Sequence, residues 1–128
     1  MVEYKGWITL SSDSYEENFS MLEERVAFLE KDLIKFNGSS QFSKIINCNE
    51  DYTLSLIGVL NHENGILKEI KDLLHHIAEV LPASFGVIYY RDQEGDHENH
   101  YFVIRLAKGK LEEFNDHILS PCFPVIED

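Results

Sequence analysis

Residues 65–82, GILKEIKDLLHHIAEVLP, carry the clearest helical pattern in the chain. Apolar residues recur there at steps of three and four, the spacing of one helical face, and Pro82 cannot continue the helix. We predict a helix from about Gly65 to Leu81 whose apolar side holds Ile66, Ile70, Leu73, Leu74, Ile77 and Leu81. Apolar runs of strand length flank it at Tyr52–Leu60 and Phe85–Arg91. This order of strand, helix and strand predicts a helix packed against a sheet.

The N-terminal part shows the same alternation of strand and helix. Glu3–Leu10 alternates as a strand does, with one face formed by Tyr4, Gly6, Ile8 and Leu10 and the other by Glu3, Lys5, Trp7 and Thr9. A capping-box pattern at Ser14 and Glu17 opens a predicted helix, and Asn37-Gly38, residue types that accept a left-handed C-cap, ends it. The apolar stripe of this helix is Tyr15, Phe19, Leu22, Val26, Leu29, Leu33 and Phe36.

Three further strands complete the predicted fold, at Phe42–Cys48, His100–Ala107 and Lys110–Phe114. The element order is then β-α-β-β-α-β-β-(β), which is α+β, with two helices on one face of a mainly antiparallel sheet and a ferredoxin-like arrangement of the first six elements. The length of 128 residues suits one domain spanning residues 1–128. We expect an extended C-terminal tail, held by Pro121 and Pro124, that covers apolar sheet surface with Leu119, Phe123, Val125 and Ile126.

The chain is strongly acidic, with 11 Lys and Arg against 23 Asp and Glu and a net charge of −12. The two halves carry −6 each, so the charge belongs to the whole domain. Nucleic-acid binding is disfavoured because a phosphate backbone would be repelled. A basic protein partner is favoured instead.

The sequence indicates a cytoplasmic protein. The N-terminus lacks the order of a signal peptide, no apolar run approaches the roughly 20 residues that span a bilayer, and Cys48 and Cys122 are too few for a disulfide scaffold. We expect both thiols to be reduced.

No group of residues has the spacing of a metal, cofactor or catalytic site. Adjacent His75 and His76 point about 100° apart on a helix, and His62 is expected to brace a loop or cap. The acidic run from Asp92 to Glu98 has its glycine at position four, where a calcium loop needs position six. Cys122 with His117 lies among acids, which do not favour a thiolate. We therefore expect no cofactor, no metal and no enzymatic activity.

Two features are the candidates for partner binding. Trp7, the only tryptophan, lies on the predicted helix-free side of the sheet, where either the C-terminal tail covers it or a partner binds it. Acids without compensating bases lie in the loop between the fourth and fifth strands and after Lys110. The candidate partner-binding residues are Asp92, Glu94, Asp96, Glu98, Glu112, Glu113, Asp116 and Trp7.

The chain also resembles a known family along almost all of its length. The motifs that carry the resemblance are Gly6-Trp7-Ile8, Asn61-His62, Ser84-Phe85-Gly86, Gly109-Lys110-Leu111 and the final LSPCFPVIED, residues 119–128. In this order they resemble the immunity protein 7 family of bacterial polymorphic toxin systems. Phe85 and Glu63 depart from the pattern, where a tyrosine and a basic residue are expected.

The resemblance implies a function by binding. Members are small cytosolic proteins encoded beside a secreted toxin, whose toxin domain they neutralise in the producing cell. Such toxins are often basic nucleases, which agrees with the acidic charge. The alternatives are a small acidic oligomeric regulatory or adaptor protein without a toxin partner, with Trp7 in a self-interface, and a small hydrolase or isomerase that uses Cys122.

Overall fold

The computed structural model describes residues 1–12 and 19–128, and within these residues the chain combines six strands with two main helices. The strands are β1 (Val2–Leu10), β2 (Gln41–Cys48), β3 (Asp51–Leu60), β4 (Phe85–Asp92), β5 (Phe102–Ala107) and β6 (Lys110–Asn115). The helices are α1 (Phe19–Glu30), continued by a 3-10 segment (Lys31–Phe36), α2 (Ile66–Val80) and a single turn, α3 (Cys122–Val125). The predicted opening of the first helix at Ser14, Tyr15 and Glu17 lies outside the described residues.

The strands form one sheet in the order β2-β3-β1-β4-β5-β6, and all neighbours are antiparallel. The α+β class with an antiparallel sheet is therefore confirmed. β1 lies inside the sheet, between β3 and β4, and β2 and β6 form the two edges.

The hydrophobic core lies on one face of this sheet. Tyr4, Ile8 and Leu10 of β1 are buried there, as the alternation predicts, and so is Val2, which precedes the predicted strand. The predicted stripe of α2 is buried in full, and the described part of the α1 stripe joins the same core through Leu22, Val26, Leu29, Leu33 and Phe36. Both main helices therefore pack on one side, and among the described residues neither of them contacts the other side, which is called the helix-free side.

The end of the first helical segment differs from the expected left-handed cap. Asn37 has an extended backbone, with φ −123° and ψ 142°. Its side-chain amide donates to the Leu33 carbonyl at 3.0 Å, and its Oδ1 accepts from the Ser43 N–H at 2.8 Å. The asparagine thus ends the helix through its side chain, because it joins the last turn directly to β2.

The C-terminal tail also packs differently from the expectation. Phe123, Val125 and Ile126 were expected to cover the sheet, but their side chains are about half exposed, and α3 interrupts the extended course. Ser120 is buried instead, and so is Cys122. Its N–H donates to the Asn99 carbonyl at 2.7 Å, and the Phe123 N–H donates to Asn99 Oδ1 at 2.7 Å. Hydrogen bonds to the backbone and side chain of Asn99, in the β4–β5 loop, set the course of the tail here, and its apolar side chains are left outside.

Candidate functional site

The acidic hairpin, residues 92–100 between β4 and β5, begins with a carboxylate that shapes the turn. Asp92 Oδ1 accepts from the Glu94 N–H at 2.9 Å, and the Asp92 carbonyl accepts from the Gly95 N–H at 3.2 Å. Aspartate is common in turns because its side chain can accept a hydrogen bond from the backbone N–H two residues further on. Asp92 is half-buried and already has hydrogen-bond partners within its own turn.

Glu94 joins the hairpin to two other parts of the molecule. Its carboxylate lies 3.4 Å from the Met1 ammonium group and 3.3 Å from His62 Nδ1. The hydrogen bond with His62, followed by the charge of the N-terminus, lowers the pKa of Glu94 below its ordinary value. His62 therefore has the loop-bracing role expected for it, and part of the Glu94 charge is compensated.

Asp96 and Glu98 are the uncompensated acids of the hairpin. Both are exposed, and no cation among the described residues lies within ion-pair distance of either carboxylate. The Glu98 carbonyl accepts from Arg91 Nε at 2.7 Å, so the backbone at this position is held although the side chain is free. These two carboxylates form the accessible negative charge of the loop.

Glu112 and Glu113 lie on β6 and face opposite sides of the sheet. Glu112 pairs with Arg105 at 3.2 Å on the helix-free side, and Glu113 pairs with Lys71 of α2. The structure does not bring them together with the hairpin as one acidic surface.

The prediction that Asp116 adds charge to the binding surface is corrected by its burial, because the residue is only 3% exposed. Its carboxylate accepts from the Ile118 and Leu119 N–H groups, each at 2.9 Å, and from the Ser120 hydroxyl at 2.8 Å. Burial alone would raise the pKa of Asp116, but these hydrogen bonds outweigh it and lower the pKa. Asp116 shapes the start of the tail.

Arg91 connects the hairpin, the tail and β1. It is 6% exposed, and its guanidinium group lies 2.8 Å from the Glu127 carboxylate and 3.6 Å from that of Glu3. The Tyr101 hydroxyl donates to the same Glu3 carboxylate. The hairpin and tail are therefore held as one unit at one end of the sheet.

Trp7 lies on the helix-free side, as predicted, and is 45% exposed. Its ring packs edge-on against Phe85, with 6.3 Å between the ring centroids. Leu119 of the tail reaches the edge of a depression that Lys5, Trp7 and Tyr89 also line. The tail was one of the two candidates to contact Trp7, but it reaches only the edge of this depression and leaves much of the Trp7 side chain exposed.

The whole sequence, residues 1–128, matches the family model described as Immunity protein 7. The chain belongs to this family. No curated protein and no solved structure matches it, so the family match alone carries the assignment.

In this immunity protein, Glu63 has a role that the sequence did not suggest. Its carboxylate accepts from the Gly65 N–H at 2.6 Å and from the Leu67 N–H at 3.2 Å, so it caps the N-terminus of α2. A helix N-terminus favours a negative charge, which gives a structural reason for the acid at a position where the resemblance suggested a base.

The histidines and the cysteine considered above for metal binding or catalysis do not form such a site in the structure of the immunity protein. His76 is half-buried and lies 2.8 Å from the Asp32 carboxylate, while His75 is exposed. Cys122 is fully buried. The described residues contain no group of three or more histidine, cysteine or acidic side chains that could hold a metal ion. Nor does any described helix have the length and apolarity needed to cross a membrane.

The apolar surface around Trp7 is more extensive than the sequence predicted. Seven large hydrophobic side chains among the described residues share the helix-free side and are each 42–51% exposed: Trp7, Phe42, Ile46, Ile57, Val59, Phe85 and Phe114. A signal was present, because β2 and β3 carry apolar residues on both of their faces. One face supplies the core, and the second had no assigned partner.

Proposed function

We propose that this immunity protein binds and neutralises the cognate toxin domain of a polymorphic or contact-dependent toxin system in the cytoplasm of the producing cell. The match of the whole chain to the family carries the proposal. The toxin domain is proposed to be a basic nuclease, which the net charge of −12 supports because it favours a basic partner. The protein acts by binding and has no enzymatic role.

The acidic hairpin is proposed to steer the toxin domain to its complex. Its free carboxylates, Asp96 and Glu98, are exposed at the tip of a loop whose ends are fixed by Glu94 and Arg91. Negative potential of this kind raises association rates by roughly 10–10³ with an oppositely charged partner. A loop held in place also loses little conformational entropy on binding. At the complex, its carboxylates are proposed to occupy the space meant for a phosphate-bearing substrate.

The remaining candidates contribute to different degrees. Glu112 pairs with Arg105 and Glu113 with Lys71, so each adds to the overall field with part of its charge compensated. Asp92 and Asp116 support the shape of the hairpin and tail and are not proposed as direct contacts. Trp7 is proposed as an apolar contact.

We further propose that β1 to β4, with α1 and α2, form a ferredoxin-like unit to which β5 and β6 are added. The order β2-β3-β1-β4, with antiparallel neighbours and both helices on one face, supports it. In this arrangement the helix-free side stays open for binding.

Co-purification tests the proposed function directly. The protein is expressed with the C-terminal domain encoded by the adjacent toxin gene, inactivated by substitution, and the pair is purified through a tag on one partner. We expect a stable complex, and protection of cells that express the active domain. Absence of both would overturn the proposed function and favour the acidic regulatory or adaptor protein, whose self-association sedimentation would detect.

A further inference from the structure

We propose that the helix-free face, meaning the helix-free side of the sheet with its seven half-exposed hydrophobic residues, is the main contact surface for the toxin domain. This inference rests on the proposed function and names the surface that performs it. It differs from the electrostatic proposal, because the acidic hairpin lies at one end of the sheet and this face spans the sheet.

The strand register aligns the side chains of the face into continuous rows. One row crosses all six strands through Phe42, Ile57, Lys5, Tyr89, Val103 and Phe114. The next runs through Lys44, Ser55, Trp7, Val87, Arg105 and Glu112. Five of the six positions in the first row are apolar or aromatic, so it forms an apolar stripe across the sheet. Contiguous apolar surface on this scale marks an interaction site in a soluble domain.

The tail covers this face at one end only. Glu3 and Arg91 lie beneath it and are engaged by Tyr101 and Glu127. Beyond them, Leu119 and Tyr101 form a wall of the depression that also contains Trp7. A depression beside an exposed aromatic residue offers a seat for a partner side chain, which is the usual setting of an energetically dominant contact.

The size of the face fits a specific complex. Strands about 4.8 Å apart and about eight residues long, at about 3.3 Å per residue, give a six-stranded face of roughly 600 Å² in plan. Specific interfaces bury about 800 Å² on each partner. Protruding side chains make the accessible area larger than the area in plan, and the adjoining hairpin adds further surface. The face can therefore supply the area of a specific interface without a large rearrangement.

Charge favours a toxin domain over a second copy of this chain. Among the described residues no carboxylate lies within ion-pair distance of Lys5 or Lys44, and the nearby Glu3 and Glu112 already pair with Arg91 and Arg105. A twofold contact through this face would bring the lysines of two copies together, and each copy carries −12. Both effects oppose self-association. The occupant is therefore a basic toxin domain whose contact patch is apolar and carries carboxylates or carbonyl groups for the two lysines.

The experiment compares matched variants on the two sides of the molecule. Ile57→Glu places a carboxylate across from Lys5 on the face, while Ile34→Glu makes the same change at a more exposed isoleucine on the helical side. Trp7→Ala is matched with Phe28→Ala, an exposed aromatic of α1. Dissociation rates from the inactivated toxin domain are measured by surface plasmon resonance, and folding of each variant is checked by thermal melting.

We expect Trp7→Ala to raise the dissociation rate about 30-fold and Ile57→Glu at least about tenfold, with little dependence on salt. Ile34→Glu and Phe28→Ala are expected to stay within about twofold of the parent. Equal binding by folded face variants overturns this inference and leaves the proposed function intact. Failure of the parent itself to bind overturns both. A parent that sediments as a dimer, and becomes a monomer on Ile57→Glu, assigns the face to self-association and overturns the inference.

Discussion

At the scale of single residues, equal charges have unequal roles. Asp96 and Asp116 look alike in the sequence, as members of acidic segments without bases. Asp96 is exposed at a loop tip, whereas Asp116 is buried and accepts three hydrogen bonds. Asp116 lies opposite Tyr101 in the continuation of the β5–β6 pairing, and its carboxylate accepts hydrogen bonds from the residues that follow it, 118–120. The N–H partners two and three residues further on follow the local turn pattern that aspartate favours, whereas the burial depends on the pairing of two strands, which a local pattern does not show.

The hydrogen bonds to Asp116 predict a dependence of stability on pH. A carboxyl group whose folded-state pKa is lowered stabilises the fold above its unfolded pKa, and this contribution is lost as the pH falls toward the folded value. We expect Asp116→Asn to lower the free energy of unfolding by about 1–3 kcal/mol at pH 7. Because the unfolded pKa is about 3.9, the difference from the parent should narrow between about pH 5 and pH 3.

Urea unfolding of the parent and of Asp116→Asn at about pH 7 and about pH 3 measures how the difference in unfolding free energy changes with pH. Asp96→Asn is the control, since it removes an exposed carboxylate of the same kind, and it should change little at either pH. An Asp116→Asn protein as stable as the parent at pH 7 would show that the buried carboxylate is dispensable.

At the scale of elements, periodicity was informative wherever packing repeats along the chain. The α2 stripe from Ile66 to Leu81 and the alternation of β1 were predicted correctly, because each depends on a regular face turned to one core. The tail was predicted wrongly, since its course depends on a few hydrogen bonds to Asn99 that have no periodic signal. The apolar residues of the tail suggested cover for the sheet, but Cys122 and Ser120 are the residues that are buried.

The tail is nevertheless expected to stabilise the fold. It supplies Ser120 Oγ to the Tyr101 N–H at 2.8 Å, the Cys122 N–H to Asn99, and Glu127 to the buried Arg91. At about 1 kcal/mol for each hydrogen bond, and more for a charged one, removal of residues 117–128 should lower the Tm by about 10 °C or more. Calorimetry of the truncated protein provides the measurement.

The double variant Phe123→Ser with Ile126→Ser is the control for this truncation, because both side chains are about half exposed. It should melt within about 2 °C of the parent. A truncated protein that melts like the parent and loses toxin binding would instead identify the tail as a recognition arm.

At the scale of the whole molecule, charge and apolar surface are separated. Among the described residues, exposed carboxylates without an ion pair lie in the hairpin, on α1 and α2 and in the β2–β3 turn, while the centre of the helix-free face carries the unpaired Lys5 and Lys44 among apolar side chains. This distribution predicts two kinetic effects that different substitutions separate. Hairpin acids should control how fast the complex forms, and the face should control how long it lasts.

The charge effect is tested by reversing the free hairpin acids with Asp96→Lys and Glu98→Lys. The control is Glu24→Lys with Glu30→Lys, two exposed acids of α1 whose reversal changes the net charge by the same amount. If the hairpin steers the toxin domain, its reversal should slow association at least about tenfold at low salt, and the control much less. The difference should shrink as salt rises and the Debye length falls below about 10 Å.

Stopped-flow association at two ionic strengths distinguishes local steering from the overall field. Equal slowing by both double variants would assign the effect to net charge, because the position of the acids would then be immaterial. Association of the hairpin variant as fast as the parent at low salt would make Asp96 and Glu98 ordinary solvated surface. A slower association rate is the expected main effect, because steering acts before the complex forms, whereas the dissociation rate should depend mostly on the helix-free face.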